Sequence, residues 1–172
     1  ILQLMSELES VDGRFQYVVS KNNITAIVDY AHTPDALKNI LETINNIRSK
    51  NEDLITIVGC GGDRDVSKRP KMGNIAASLS SKVIFTSDNP RSENPATIIE
   101  SMEKGVSGEH FKKTLSISDR KQAIKTACQL AKNGDIILIA GKGHETYQEI
   151  KGKRIDFDDY KIINELLIAL KK

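Results

Sequence analysis

The stretch "NITAIVDY" (23–30), running on into "AHTPDALKNILETINNI" (31–47), decides the fold. Its first part is a β-rich apolar run. Thr33 then suits a helix N-cap and Pro34 the first helical position. Leu37, Ile40, Leu41, Ile44 and Ile47 follow at helical spacing. The pattern predicts a strand, a polar junction and an amphipathic helix.

The same unit recurs along the chain. "LITIV" (54–58) reads as a strand and leads through "GCGGDRD" into a helix carrying Met72, Ile75, Ala76 and Leu79 on one side. "KVIFT" (82–86) precedes a helix capped by Asn94, with Pro95 just inside, that buries Ile98, Ile99 and Met102. Asp119 and Gln122 form a capping box, and Asn133-Gly134 stops that helix before the apolar strand "DIILIAG" (135–141). A hairpin is expected around Gly152, then a last helix with Tyr160, Ile163, Leu166, Leu167 and Leu170. Short apolar strands alternating with one-sided helices predict one α/β domain. The expected architecture is Rossmann-like and three-layered, a mostly parallel sheet of about six strands with helices on both faces.

Composition narrows the function. With 172 residues, 39% apolar and 28% charged, the chain suits a globular domain with a substantial core. A net charge of +2 and no basic run interleaved with aromatics argue against nucleic acid as the main partner. No apolar run approaches the ~20 residues of a membrane span, and no signal-peptide pattern opens the chain, so a cytoplasmic address is expected. Cys60 and Cys128 match no metal or redox spacing and read as plain thiols. The opening "ILQLMSELESVDGRF" reads as a short helix, a hinge at Asp12-Gly13 and a strand, the expected tail of something already under way.

Polar and glycine-rich clusters follow successive strands: "DYAHTPD", "GCGGDRD", "SDNPR" and "GKGHE". In a parallel sheet such loops share one edge, where open α/β sheets bind ligands. Each cluster alone has a plainer reading. Gly59, Gly61 and Gly62 fit a tight turn or close ligand approach better than a dinucleotide fingerprint, because Arg64 stands where the third glycine belongs. Arg64 alone reads equally as a solvated charge, and His32 as a satisfied loop histidine. "GKGHE" lacks P-loop spacing, and His144 has no cysteine near it for a zinc site. "SDNPR" reads as an Asx turn that leaves Arg91 free. Together, Arg64, Arg91, Asp88, Asn89 and Glu145 suit an amino acid with several charges: guanidinium on carboxylate, carboxylate on ammonium.

Taken in order, "VDYAHTPDAL", "GCGGDRDVSKRPKMG", "TSDNPRSENP" and "AGKGHETYQ" resemble the carboxy-terminal domain of the Mur ligases, in their diaminopimelate-adding branch. The resemblance runs from Gly13-Arg14-Phe15 to the last helix. It implies an ATP- and Mg2+-dependent, amide-forming ligase of peptidoglycan synthesis that joins meso-diaminopimelate to a UDP-N-acetylmuramoyl dipeptide through an acyl phosphate. Residues 1–12 would then be the tail of a central ATPase domain, 13–20 a hinge and first strand, and 21–172 the amino-acid-binding domain. The UDP-binding and P-loop domains would lie outside this chain, which alone would be inactive. The implied diaminopimelate contacts are Arg64, Asp88, Asn89, Pro90, Arg91, Gly141 and Glu145, and the implied ATP contacts Arg14, Asp29, Tyr30 and His32. Arg91 would select diaminopimelate through the carboxylate that lysine lacks. A related ligase adding lysine or glutamate, or a free-standing binding module, is the alternative.

Overall fold

Apolar strands flanked by one-sided helices require a sheet covered on both faces, and the computed structural model has that form. It describes residues 14–49 and 51–172. The helix expected before Asp12 and the Asp12-Gly13 hinge lie outside the described residues.

The sheet is built from β1 (Gln16–Val19), β2 (Thr25–Asp29), β3 (Leu54–Val58), β4 (Lys82–Phe85), β5 (Thr114–Ser116) and β6 (Ile136–Ala140), in the order β1-β2-β6-β3-β4-β5. Only β1 runs antiparallel, against β2. The remaining pairs are parallel. A separate hairpin follows, β7 (Tyr147–Ile150) with β8 (Lys153–Asp156). It turns at Lys151 and Gly152, both at positive φ (49° and 74°), as the glycine there predicts.

One face is covered by α1 (Pro34–Ile47), α2 (Lys68–Leu79) and α3 (Pro95–Glu103). Leu37, Leu41, Met72, Ile98 and Met102 pack there against Ile27, Val58, Val83 and Leu138. After the short α4 (Gly108–Phe111), α5 (Arg120–Leu130) and α6 (Asp159–Ala169) cover the other face, setting Ala123, Ile124, Cys128, Ile163 and Leu167 on Val28, Ile57 and Ile139. The sheet's middle strands β3 and β6 are buried at every position, which is why they read as continuous apolar runs rather than alternating ones. The expected caps form. Thr33 accepts from Ala36 N at 3.3 Å, Asn94 from Ala96 N at 3.0 Å and Asp119 from Gln122 N at 2.8 Å.

The chain lays down β2, β3, β4 and β5, then returns through α5 to insert β6 between β2 and β3. That reversal creates the crevice at which such sheets bind ligands. Among the described residues, no helix is long and apolar enough to cross a membrane.

Candidate functional site

Register brings the polar loops together. Asp29 and Val58 both pair with Ala140, and Val58 pairs with Phe85, so β2, β6, β3 and β4 end level. The residues that follow emerge side by side and line one cavity of about 510 Å³. Its walls include Tyr30 and His32 from the first loop, Gly61 and Arg64 from the second, Asp88, Asn89 and Arg91 from the third, and Gly141 and Glu145 from the fourth.

The second and third loops are locked to each other. A methyl group on Gly62 would overlap the Pro90 carbonyl, and one on Gly59 would overlap that of Thr86. These glycines are therefore needed for loop-on-loop packing, not for a positive φ. Gly62 N donates to Asn89 O at 2.9 Å, and Arg91 Nη1 returns a bond to Gly62 O at 2.7 Å. The buried Arg69 grips Glu93 at 2.9 and 2.7 Å, and Glu93 Oε1 accepts from Asp63 N at 2.6 Å. Asp63 takes the Ser92 hydroxyl at 2.6 Å, and this bond with the Ser92 N–H holds its pKa below the usual carboxylate value. Asp63 and Arg91 both sit in the left-handed region, at φ of 53° and 51°. Each such residue costs on the order of 1 kcal/mol or more, which the surrounding bonds must offset. Arg91 N donates to Glu149 O at 3.0 Å, and Lys151 N to Arg91 O at 2.7 Å, so the hairpin holds Arg91 from behind.

Inside the cavity the polar groups divide into spent and unspent. Asn89 is spent: Nδ2 donates to Glu145 Oε2 at 2.8 Å, while Oδ1 accepts from Lys142 Nζ at 3.1 Å and Glu149 N at 2.9 Å. Glu145 Oε2 also meets Lys142 Nζ at 3.2 Å, while Oε1 accepts no hydrogen bond among the described residues. Asp88 is 8% exposed, and its carboxylate accepts no hydrogen bond and joins no ion pair among the described residues. Among the described residues Arg64 donates only to Asp63 O, at 3.1 Å. Arg91 keeps donors beyond Nη1, with Nε 3.8 Å from Glu149 Oε2. Two acceptors and two guanidinium groups thus line one space with hydrogen-bonding capacity left over. Pro90, implied as a ligand contact, is buried, packs against Gly62 and is not among the residues that line the cavity.

The residues implied for ATP also divide. Tyr30 and His32 lie at the rim with ring centroids 4.4 Å apart, and His144 joins them 5.1 Å from Tyr30. Asp29 points elsewhere. It accepts from Phe15 N at 2.8 Å and Ala31 N at 2.9 Å, tying the start of β1 to the first loop. Burial raises its pKa against the pull of those N–H groups and of Arg14. Arg14 is exposed beside it.

Sequence reasoning missed two supports. Between its two glycines Lys142 carries no local signal of burial. Gly141 and Gly143, at φ of 116° and 52°, turn the loop so that Lys142 runs inward and is fully buried. A Cβ on Gly141 would also come within 2.7 Å of Asp88 Oδ2. The second support is Arg120 with Asp159, both fully buried and paired through bonds of 2.9 and 2.7 Å. Arg120 reaches Ser87 O at 3.4 Å and Ala140 O at 3.2 Å, the residues just before Asp88 and Gly141. The available signal was an arginine at the start of a helix and an aspartate that repeats the cap residue Asp158.

A mostly parallel sheet whose strand ends surround a charged cleft at its reversal point defines a Rossmann-like α/β domain. The chain belongs to the Mur ligase family: residues 13–143 match the domain described as "Mur ligase, glutamate ligase domain". It is similar to the UDP-N-acetylmuramoyl-L-alanyl-D-glutamate–2,6-diaminopimelate ligase of Cytophaga hutchinsonii, 58% identical over all of this chain and 35% of that protein. The Bacteroides thetaiotaomicron protein of the same name is 54% identical over 96% of this chain and 34% of its own length. A solved ligase of that name superposes with a TM-score of 0.85 at 42% identity, covering 96% of this chain and 33% of the other. The chain spans about a third of the length of these relatives.

Proposed function

We propose that this chain is the amino-acid-binding lobe of an ATP-dependent ligase that adds meso-diaminopimelate to UDP-N-acetylmuramoyl-L-alanyl-D-glutamate in the cytoplasm. The observation that carries this reading is the set of charged groups that line one cavity with hydrogen-bonding capacity left over. The Asp88 carboxylate and the outer oxygen of Glu145 face the guanidinium groups of Arg64 and Arg91 across one cavity. That inventory suits an ammonium-and-carboxylate terminus: acceptors for the amine, a planar donor fork for the acid. The names carried by close relatives support the choice of amino acid.

In the proposed reaction ATP phosphorylates the D-glutamate carboxylate, the diaminopimelate amine attacks the acyl carbon, and phosphate leaves. This lobe holds the far terminus of diaminopimelate so that its other amine reaches the acyl phosphate. Binding energy spent away from the reacting atoms thus becomes orientation. The P-loop, the magnesium and the UDP-sugar are assigned to domains preceding residue 13. Among the described residues no group of three or more His, Cys, Asp or Glu side chains is placed to hold a metal ion. The Tyr30, His32 and His144 rings offer a stacking surface for one edge of a nucleotide.

The test is Arg91→Ala in the full-length enzyme, with diaminopimelate and lysine compared as substrates. Losing the partner of a buried carboxylate costs ~2–5 kcal/mol, so kcat/KM for diaminopimelate should fall at least ~30-fold. The KM for ATP should stay near wild type. Unchanged incorporation of diaminopimelate would remove Arg91 from the role.

A further inference from the structure

We infer that Lys142 is a positioning residue for amino-acid binding and also sets the charge preference of the cleft, an inference that rests on the amino-acid-binding role proposed above. Three observations carry it. Lys142 has no exposed surface, yet its ammonium lies among the ligand-facing groups, 3.1 Å from Asn89 Oδ1 and 3.2 Å from Glu145 Oε2. It also stands over the Tyr147 ring, 5.5 Å from the centroid. A buried ammonium needs such partners, and they in turn are held by it.

The first consequence is geometric. Lys142 and the Glu149 N–H together satisfy Asn89 Oδ1, so Nδ2 is the end of that amide that turns to Glu145. Glu145 Oε2 is thereby held by both an amide and an ammonium, and only its other oxygen is left to face the ligand. The carboxylate is fixed before the amino acid arrives, which reduces the ordering cost of binding.

The second consequence is electrostatic. Three acids (Asp65, Asp88, Glu145) and three bases (Arg64, Lys68, Arg91) line the cavity and cancel formally. Lys142 sits just beneath them and adds one positive charge shielded from water. Fully ionised diaminopimelate carries as many carboxylates as ammonium groups, whereas lysine carries an ammonium in excess. Glu149 balances this charge formally from behind Arg91, but its side chain is 24% exposed, so the shielded cation on the cleft floor acts more strongly on the ligand. It disfavours lysine and leaves diaminopimelate unpenalised, a repulsive element that works beside the attraction of Arg91.

The experiment uses the full-length ligase with Lys142→Met, Lys142→Gln, Glu145→Gln and the Lys142→Met/Glu145→Gln pair. KM is measured for diaminopimelate, lysine and ATP, with thermal midpoints alongside. Lys142→Met should raise the KM for diaminopimelate about tenfold or more, while the KM for ATP stays within about threefold. The diaminopimelate-to-lysine ratio of kcat/KM should narrow at least about fivefold in both Lys142 variants. Because Lys142 acts through Glu145, the double variant should bind diaminopimelate within about threefold of Glu145→Gln alone. A KM for diaminopimelate within about twofold of wild type overturns the inference, as does a parallel rise in both KM values or full multiplication of the single effects. If Lys142→Met fails to fold, Lys142→Gln carries the same readings, since it removes the charge but keeps a donor for Asn89. Should the wild-type enzyme prefer another amino acid, the substrate proposal fails by itself, and the KM split and the cycle are read with that amino acid.

Discussion

Asp159→Ala tests the least visible part of the site. The Asp159 carboxylate and the Arg120 guanidinium are both wholly buried and meet through bonds of 2.9 and 2.7 Å. Burial alone would lower the pKa of Arg120; Asp159 first, then the nearby Asp88 and Glu145 carboxylates, together more than reverse that, so the net direction is upward. Removing the aspartate leaves a buried cation whose other contacts are the carbonyls of Ser87 and Ala140, at 3.4 and 3.2 Å. Breaking a buried pair on one side costs ~3–5 kcal/mol. At a urea m-value of about 2 kcal/mol/M, the unfolding midpoint of the 172-residue chain should drop by about 1.5–2.5 M. The paired replacement Arg120→Met/Asp159→Leu strands no charge and should recover most of that loss, with a midpoint within about 0.5 M of the parent. It should still weaken amino-acid binding in the full-length enzyme, because Arg120 bonds the residues just before Asp88 and Gly141. Urea curves followed by circular dichroism decide the matter. If Asp159→Ala shifts the midpoint by less than about 0.5 M, the pair is not the buried support described and the reasoning fails.

Gly62→Ala should separate the second and third loops, because the new methyl overlaps the Pro90 carbonyl; a loss of about 1–3 kcal/mol in thermal unfolding is expected, with impaired amino-acid binding. Burial raises the Cys60 thiol from its ordinary value of 9.0 to about 12 and Cys128 to about 11. Above pH 9 the unfolded chain therefore releases protons that the folded chain keeps, so stability should be intact below that pH and fall as it rises toward 12. Cys60→Ala should flatten part of that fall in a series of melts. Glu93→Gln removes a charged partner of buried Arg69; it should lower the melting temperature and raise the KM for diaminopimelate together, since the same carboxylate fixes Asp63 N.

Most of the fold was legible because burial leaves a local signature. "LITIV" became β3 residue for residue, and the caps at Thr33, Asn94 and Asp119 formed where the side chains allowed. β5 was not singled out, since Thr114–Ser116 is short, half exposed and without a run of apolar residues. The shared sheet edge was legible from the alternation of strands and helices, which implies a parallel sheet, and register then aligned the loops. What stayed hidden depends on distant partners. Nothing local says that the carbonyl of Pro90 needs a glycine at 62, or that the buried charge of Arg120 is met by Asp159, 39 positions along the chain. Lys142 shows the same limit. A lysine between two glycines looks like a solvated tip until the positive φ of both neighbours turns it inward.

The most direct measurement is a crystal structure of the full-length enzyme with meso-diaminopimelate bound. The account predicts one terminus in this cleft, its carboxylate within hydrogen-bonding reach of Arg64 and Arg91 and its ammonium against Asp88 and the free oxygen of Glu145. Diaminopimelate bound elsewhere, or bound here without meeting those four side chains, would contradict it.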